Sequence, residues 1–210
     1  MRYIPAFLIG LAAVSCSHNN NEHMTRFHDD GRSKPSVAVA SMLDSTTFDL
    51  SWSLSEELTD GIMNLIAGTG QIYVHAKEES PFTENPFGAD LSWMKREFHS
   101  EEFVAFLELV EHEFTPVKSK GVTAQEAPSN LNMAVRLRVV DLRPNSPKIV
   151  LQEMIRDSYF VPKTLIPSDY SVEVWGTENY RKSPMGVAHA QLVQNIADRI
   201  ADYILLAKSR

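Results

Sequence analysis

Three long runs with a two-residue hydrophobic period constrain this chain most: Phe103 to Val117, Leu131 to Leu142 and Lys148 to Phe160. In the second, Met133, Val135, Leu137 and Val139 share one side, and Arg136 and Arg138 share the other. The first run begins apolar and then sets Val110, His112 and Phe114 against Glu111 and Glu113. Successive side chains of a strand point to opposite faces, so such alternation marks strands with one buried and one wet face. Arg143-Pro144-Asn145-Ser146-Pro147 supplies turn chemistry between the second run and the third, which predicts an antiparallel hairpin. The buried face of so long a sheet needs a cover, and the rest of the chain has to provide it.

Two segments have the right period. Ser53-Leu54-Ser55-Glu56 is a capping box, in which serine and glutamate satisfy each other's free backbone amides. Leu54, Leu58, Ile62, Leu65 and Ile66 then fall on one helical face, and Gly68 marks the stop. Short apolar runs, Ser36 to Leu43 and Gln71 to Ala76, flank this helix and complete a β-α-β unit. Ser183-Pro184 places an N-cap and a first-turn proline ahead of a stripe of Leu192, Val193, Ile196, Ile200 and Ile204 running to Lys208. Residues 77–100 are irregular, with a short helix expected within Ala89 to Phe98. Val161 to Lys182 is loop-rich, and its Tyr170, Trp175 and Tyr180 predict packing. The predicted fold is α+β: a two-layer sandwich with a mixed sheet of about five strands and two amphipathic helices on one face, over residues 36–210 as a single domain.

The first residues carry a different message. Arg2 is followed by an apolar run from Ile4 to Val14, and Ala13-Val14-Ser15 brings small residues up to Cys16, the only cysteine in the chain. A hydrocarbon core of about 30 Å needs about twenty apolar residues as helix, so this run is too short to span one. It matches the core of a secretory signal cut after small residues. A lone cysteine makes no internal disulfide. Residues 13–16 resemble a bacterial lipobox, with Ala13 where the commonest form has leucine. That resemblance implies a signal peptide over residues 1–15, acylation of Cys16 and attachment to a membrane. Ser17, where an aspartate would imply inner-membrane retention, favours the outer membrane. Residues 16–35 are polar and aperiodic and predict a flexible tether, about 25 Å root-mean-square and about 60 Å at full stretch.

Removing residues 1–15 takes away Arg2 and no acidic residue, which leaves 19 basic against 27 acidic side chains, a net charge of −8. An acidic surface repels phosphate backbones and argues against a nucleic-acid partner. Catalytic motifs are missing from the sequence: there is no G-x-S-x-G, H-E-x-x-H, C-x-x-C or P-loop. Gly68-Thr69-Gly70 follows a helix instead of opening one and lacks the third glycine of a dinucleotide loop. Neither a cofactor nor a metal is expected. His18, His23 and His28, with Asp29 and Asp30, are spaced for no helical face and read as solvated linker. His75 stands alone on a short strand, His112 faces away from Glu111 and Glu113, and His189 opens the last helix. An enzyme would need a deep pocket where His112 or His75 meets a carboxylate. Arg136, Arg138 and Arg156 are candidates for a basic stripe contacting a glycolipid or a protein; the alternative is cross-strand pairing with acids such as Glu108. Phe82, Phe87, Trp93 and Phe98 form either an exposed contact site or a lid over the core.

Leu107–Val117 (LELVEHEFTPV), Asn132–Val140 (NMAVRLRVV) and Val150–Phe160 are similar in pattern to the lipoprotein that partners the outer-membrane lipopolysaccharide translocon, loosely over residues 36–208. The chain as a whole resembles conserved lipoproteins of chlamydiae, which bring no assigned role. Pro35–Ala76 is similar to the domain shared by curli-secretion lipoproteins and lipoprotein activators of penicillin-binding proteins. What these resemblances imply together is a non-enzymatic, periplasm-facing outer-membrane lipoprotein with an envelope protein or glycolipid partner. A role in lipopolysaccharide assembly is the first expectation, and activation of a peptidoglycan synthase or an enzyme of unrecognised type are the alternatives.

Overall fold

The computed structural model describes residues 25–75, 84–118, 120–121, 123, 127–165 and 174–209. The three alternating runs form β4 (Phe103–Pro116), β5 (Ser129–Asp141) and β6 (Lys148–Val161), paired antiparallel in that order. On the other side of β4 lies β1 (Ser36–Val39), and beyond it β3 (Tyr73–His75), both added in parallel. A two-residue β2 (Leu43–Asp44) continues along β4 after β1 ends. The sheet thus has six strands, ordered β3-β1-β4-β5-β6, with β2 on β4.

The expected single strand from Ser36 to Leu43 is broken. Thr59 Oγ1 accepts the Met42 amide at 3.0 Å, and Ser55 Oγ donates to the Met42 carbonyl at 2.5 Å, so the helix claims backbone groups the sheet would otherwise use. That helix is α1 (Leu54–Gly68), capped by Ser53 as predicted. With α4 (Pro184–Lys208) it covers one sheet face. Leu58, Ile62 and Ile66 from α1 and Leu192, Ile196, Ile200 and Ile204 from α4 bury Val37, Phe103, Leu107, Val135, Leu137 and Val139. The helices cross closely at Gly61, where a Cβ would lie 2.9 Å from Val193 Cγ1. The α+β sandwich with two long helices on one face is the observed architecture.

The opposite face is covered too. Trp93, Met94 and Phe98, around the short α2 (Met94–Glu97), pack on Ala38, Val104, Phe106 and Val140 in a second cluster. The aromatic segment is therefore a lid, with Phe87 half-buried at its edge; Phe82 falls outside the described residues.

This lid corrects the basic-stripe reading. Arg138 is 5% exposed and serves as the lid's clamp. Its Nη1 donates to the carbonyls of Pro86 (2.9 Å) and Gly88 (2.7 Å), its Nη2 to that of Phe87 (2.9 Å), and its Nε to Gln152 Oε1 (2.8 Å). A five-donor fork matches three converging carbonyls in a way a point charge cannot. Arg136 pairs with Glu108 directly across the strands and lies over the Phe87 ring at 4.3 Å. Of the three arginines, only Arg156 is exposed. Replacing Arg138 with methionine should cost about 2–3 kcal/mol through lost charge-assisted bonds. The loss is expected to show as faster hydrogen exchange over residues 84–98 with α1 and α4 unchanged.

The predicted tether is also shorter than residues 16–35. By Thr25 the chain is already folded back, as a hairpin with a Phe27–Ser33 bridge and Gly31 at φ +81° in its turn. Arg26 lies 5.1 Å over the Tyr73 ring, and Lys34 is 8% exposed. A polar segment without period can still be ordered by a turn glycine and by docking on a sheet edge. Cys16 falls outside the described residues.

Candidate functional site

Four elements bring one buried polar group together. Glu57 lies in the first turn of α1, one turn beyond the Ser53 cap, and is 7% exposed. Tyr180 comes from α3 (Glu178–Lys182), which is capped by Thr177, and His189 comes from the second turn of α4, capped by Ser183. His112 comes from β4. A register shift between Leu109 and Glu111 places one extra residue there, so even-numbered residues beyond it face the helices. Without the bulge, His112 would face away from α4.

Glu57 Oε1 accepts from the Tyr180 hydroxyl at 2.5 Å and from His189 Nδ1 at 2.9 Å, while Oε2 accepts from Trp52 Nε1 at 2.7 Å. The second imidazole follows: His189 Nε2 and His112 Nε2 are 2.8 Å apart. Tyr180, His112 and His189 are each under 5% exposed. Phe48 packs edge-on against His112 at 4.5 Å, and Trp52 does so against Tyr180 at 5.2 Å.

Burial by itself pushes the Glu57 pKa up, but the hydrogen bond and charge of His189, with the Tyr180 and Trp52 donors, outweigh it and hold the carboxyl below its ordinary range. Burial pushes His112 the other way for a base, down to about 3, and the neighbouring His189 adds to it, so His112 is neutral at neutral pH. A 2.8 Å contact between two Nε2 atoms holds one proton between the rings. None of these hydrogen bonds reaches a serine, threonine or cysteine.

The network is the floor of a groove. Glu57, Tyr180 and His189 lie beneath a cavity of about 650 Å³ between α1 and α4, with Asn64, Trp175 and Gln194 on its rim. That volume suits a small ligand or a partner's side chains.

His75 is placed elsewhere, half-exposed, with Nδ1 2.6 Å from Glu101 Oε1. His28, Asp29 and Asp30 lie in the N-terminal hairpin, where Asp30 pairs with Arg32; His18 and His23 fall outside the described residues. Among the described residues no three His, Cys, Asp or Glu side chains gather as metal ligands. Sequence reasoning missed Glu57 altogether. The signal was a carboxylate on the apolar face of α1, three residues after Leu54, matched by a histidine three residues before Leu192.

A family of unknown function, DUF7499, matches residues 23–208. The chain belongs to that family. No curated protein matches it. The hypothetical protein CT253 from Chlamydia trachomatis has the same fold, with a TM-score of 0.66, 23% identity, and coverage of 82% of this chain and 98% of that one. The expected chlamydial likeness is thus met in fold. Weaker likenesses include lipoprotein GNA1162 from Neisseria meningitidis (TM-score 0.41, 16% identity, 80% and 99% covered). Another is a PelC dodecamer from Paraburkholderia phytofirmans (TM-score 0.46, 11% identity, 78% and 85% covered).

For this DUF7499 member the site makes stability depend on acid. His112 binds its proton near pH 3 in the folded chain and near 6.5 in the unfolded one. Across that window the unfolded state holds more protons, so stability falls as pH falls, by up to about 1.4 kcal/mol per unit. Below its ordinary range Glu57, whose folded pKa is depressed, adds to the loss in the same direction. Urea midpoints measured from pH 7 to pH 4 should decline steeply, and His112→Asn should flatten the decline. An equal slope in that variant would assign the acid sensitivity elsewhere.

Proposed function

We propose that this chain is a periplasm-facing lipoprotein of the outer membrane, held by acyl chains on Cys16, that binds an envelope partner and carries out no chemistry of its own. The observation that carries the reading is the short apolar leader ending in small residues at the sole cysteine. Two further features support it. No helix among the described residues is long and apolar enough to cross a membrane. The folded part begins by Thr25, nine positions after Cys16, which keeps it close to whatever surface holds the anchor.

Within that role, accessory work in lipopolysaccharide assembly is the first assignment. It is motivated by the strand pattern of Leu107–Val117, Asn132–Val140 and Val150–Phe160. Crosslinking in intact envelopes, followed by recovery of the tagged chain, should capture the β-barrel lipopolysaccharide translocon. Recovery of a peptidoglycan synthase instead would support activation through the β1-α1-β3 surface, and capture of neither would remove both assignments.

One observation favours an enzyme as the second reading: an imidazole, His189, and the Glu57 carboxylate line the floor of a groove, with a second imidazole, His112, behind them. The Glu57 oxygens accept from Tyr180, His189 and Trp52, which commits the carboxylate to holding the fold together, so the binding role is preferred. Hydrolytic turnover by purified chain that disappears in His189→Gln, while binding to the partner survives, would reverse that preference.

A further inference from the structure

We infer that the end of the domain where the anchor enters rests on the bilayer itself, through an apolar patch of Ile149, Tyr203 and Leu206. The inference depends on the lipid-anchor reading of Cys16.

Strand register fixes the geometry. Val37 lies beside Phe103, Phe103 beside Asp141, and Asp141 beside Lys148, so the start of β1, the end of β5 and the start of β6 share one end of the sheet. The last turn of α4 is at that end as well. Arg143 Nη2 donates to the Ala207 carbonyl at 2.8 Å, and Lys208 Nζ reaches Glu102 at 2.6 Å. Glu102 in turn donates its amide to the Ser36 carbonyl at 3.1 Å. The chain from Thr25, held beside Lys34, therefore leads into β1 at the end where α4 leaves.

This end is apolar where it meets solvent. Ile149 is 37% exposed, Tyr203 39% and Leu206 50%, and all three line a groove of about 340 Å³ with Val150 and Ala207. Phe27, 58% exposed, stands on the hairpin that leads into β1. Apolar side chains with a tyrosine among them, rimmed by lysine and arginine, are the composition that settles at a bilayer's headgroup level. Arg143, Lys148 and Lys208 provide the rim, against Asp141 and Glu102.

The tether makes the bilayer the natural occupant. Eight residues lie between Cys16 and Thr25, and the nine backbone steps that join the two reach about 30 Å at most. At that distance the local concentration of membrane surface is high enough for a small patch to dock without strong intrinsic affinity.

A label tests this directly. Because Cys16 carries the lipid, Leu206→Cys introduces a single free thiol into the full mature protein. Val187→Cys, in the first turn of the same helix and 42% exposed in the native residue, serves as the reference. Each acylated variant, labelled with an environment-sensitive nitrobenzoxadiazole dye, is reconstituted in vesicles of phosphatidylethanolamine and phosphatidylglycerol. Emission at position 206 should shift to the blue, and spin-labelled lipid should quench it at least threefold more strongly than at position 187. Adding Ile149→Ser and Tyr203→Ser should abolish the difference. Equal, water-like emission at both positions on protein that floats with the vesicles would overturn the inference and leave the anchor intact. A blue shift at position 206 that grows with protein concentration and ignores lipid quenchers would also overturn it, assigning the patch to a second copy of the chain. Protein that fails to float, with Cys16 unacylated by mass, would remove the anchor reading and this inference together.

Discussion

Replacing Glu57 with leucine is expected to destabilise the domain by about 3–5 kcal/mol, the largest effect of any single side-chain loss in the network. Leucine fills similar space but accepts nothing. The Tyr180 hydroxyl, His189 Nδ1 and Trp52 Nε1 would each lose the acceptor they now share in Glu57. Burial at 7% exposure gives little water in exchange. Glutamine should be milder, about 1–3 kcal/mol, because its carbonyl still serves one side of the network while its amide meets a donor on the other. Converting the group more widely, with Glu57→Leu, Tyr180→Phe and His189→Leu together, should recover part of the loss, since two of the three stranded donors are then removed, while Trp52 Nε1 and His112 Nε2 are left without these partners. Urea unfolding at pH 7 measures all three. A Glu57→Leu change under about 1 kcal/mol would mean that the buried bonds contribute little.

Gly186→Ala is the second large effect, and its sign is unusual. In a helix interior alanine is ordinarily better than glycine by about 1 kcal/mol. At this position a Cβ would sit 2.1 Å from the Tyr180 carbonyl oxygen and 2.9 Å from its carbon, with Arg181 Cα at 3.3 Å. All three are backbone atoms, so no side chain can swing aside. Either α4 or the α3 turn has to move, and α3 carries Tyr180 into the network. A loss of about 2–4 kcal/mol is expected, seen as a melting temperature lower by about 5–15 °C. Gly68→Ala is the matched control, because a Cβ there meets nothing within 4 Å. It should leave the melting temperature unchanged or raise it slightly.

Features decided locally were legible in the sequence. The two-residue period of β4, β5 and β6, the capping box at Ser53 and the Ser183-Pro184 start of α4 each rest on residues within a turn or two of one another. The break between β1 and β2 depends on Thr59 and Ser55, which are 17 and 13 positions from Met42. The polar network is joined over still longer separations, 132 positions from Glu57 to His189 and 77 from His112 to His189. His112 adds a second obstacle, since the bulge that turns it inward leaves the alternation of β4 looking uninterrupted. Arg138 shows how exposure can be misread. Alternation correctly set it opposite Leu137 and Val139, but that face is covered by a lid segment whose irregular sequence shows no period. Glu57 was legible in principle, as a carboxylate within an apolar stripe, where an acid without a buried partner would be costly.

The proposed envelope role rests on Cys16, and intact mass analysis of the mature N-terminal peptide from fractionated envelopes is its most direct test. The expected result is a peptide beginning at position 16 that carries fatty acyl mass and is recovered with the outer membrane. A native chain that still begins at Met1, or that appears only in the aqueous fraction, would contradict it.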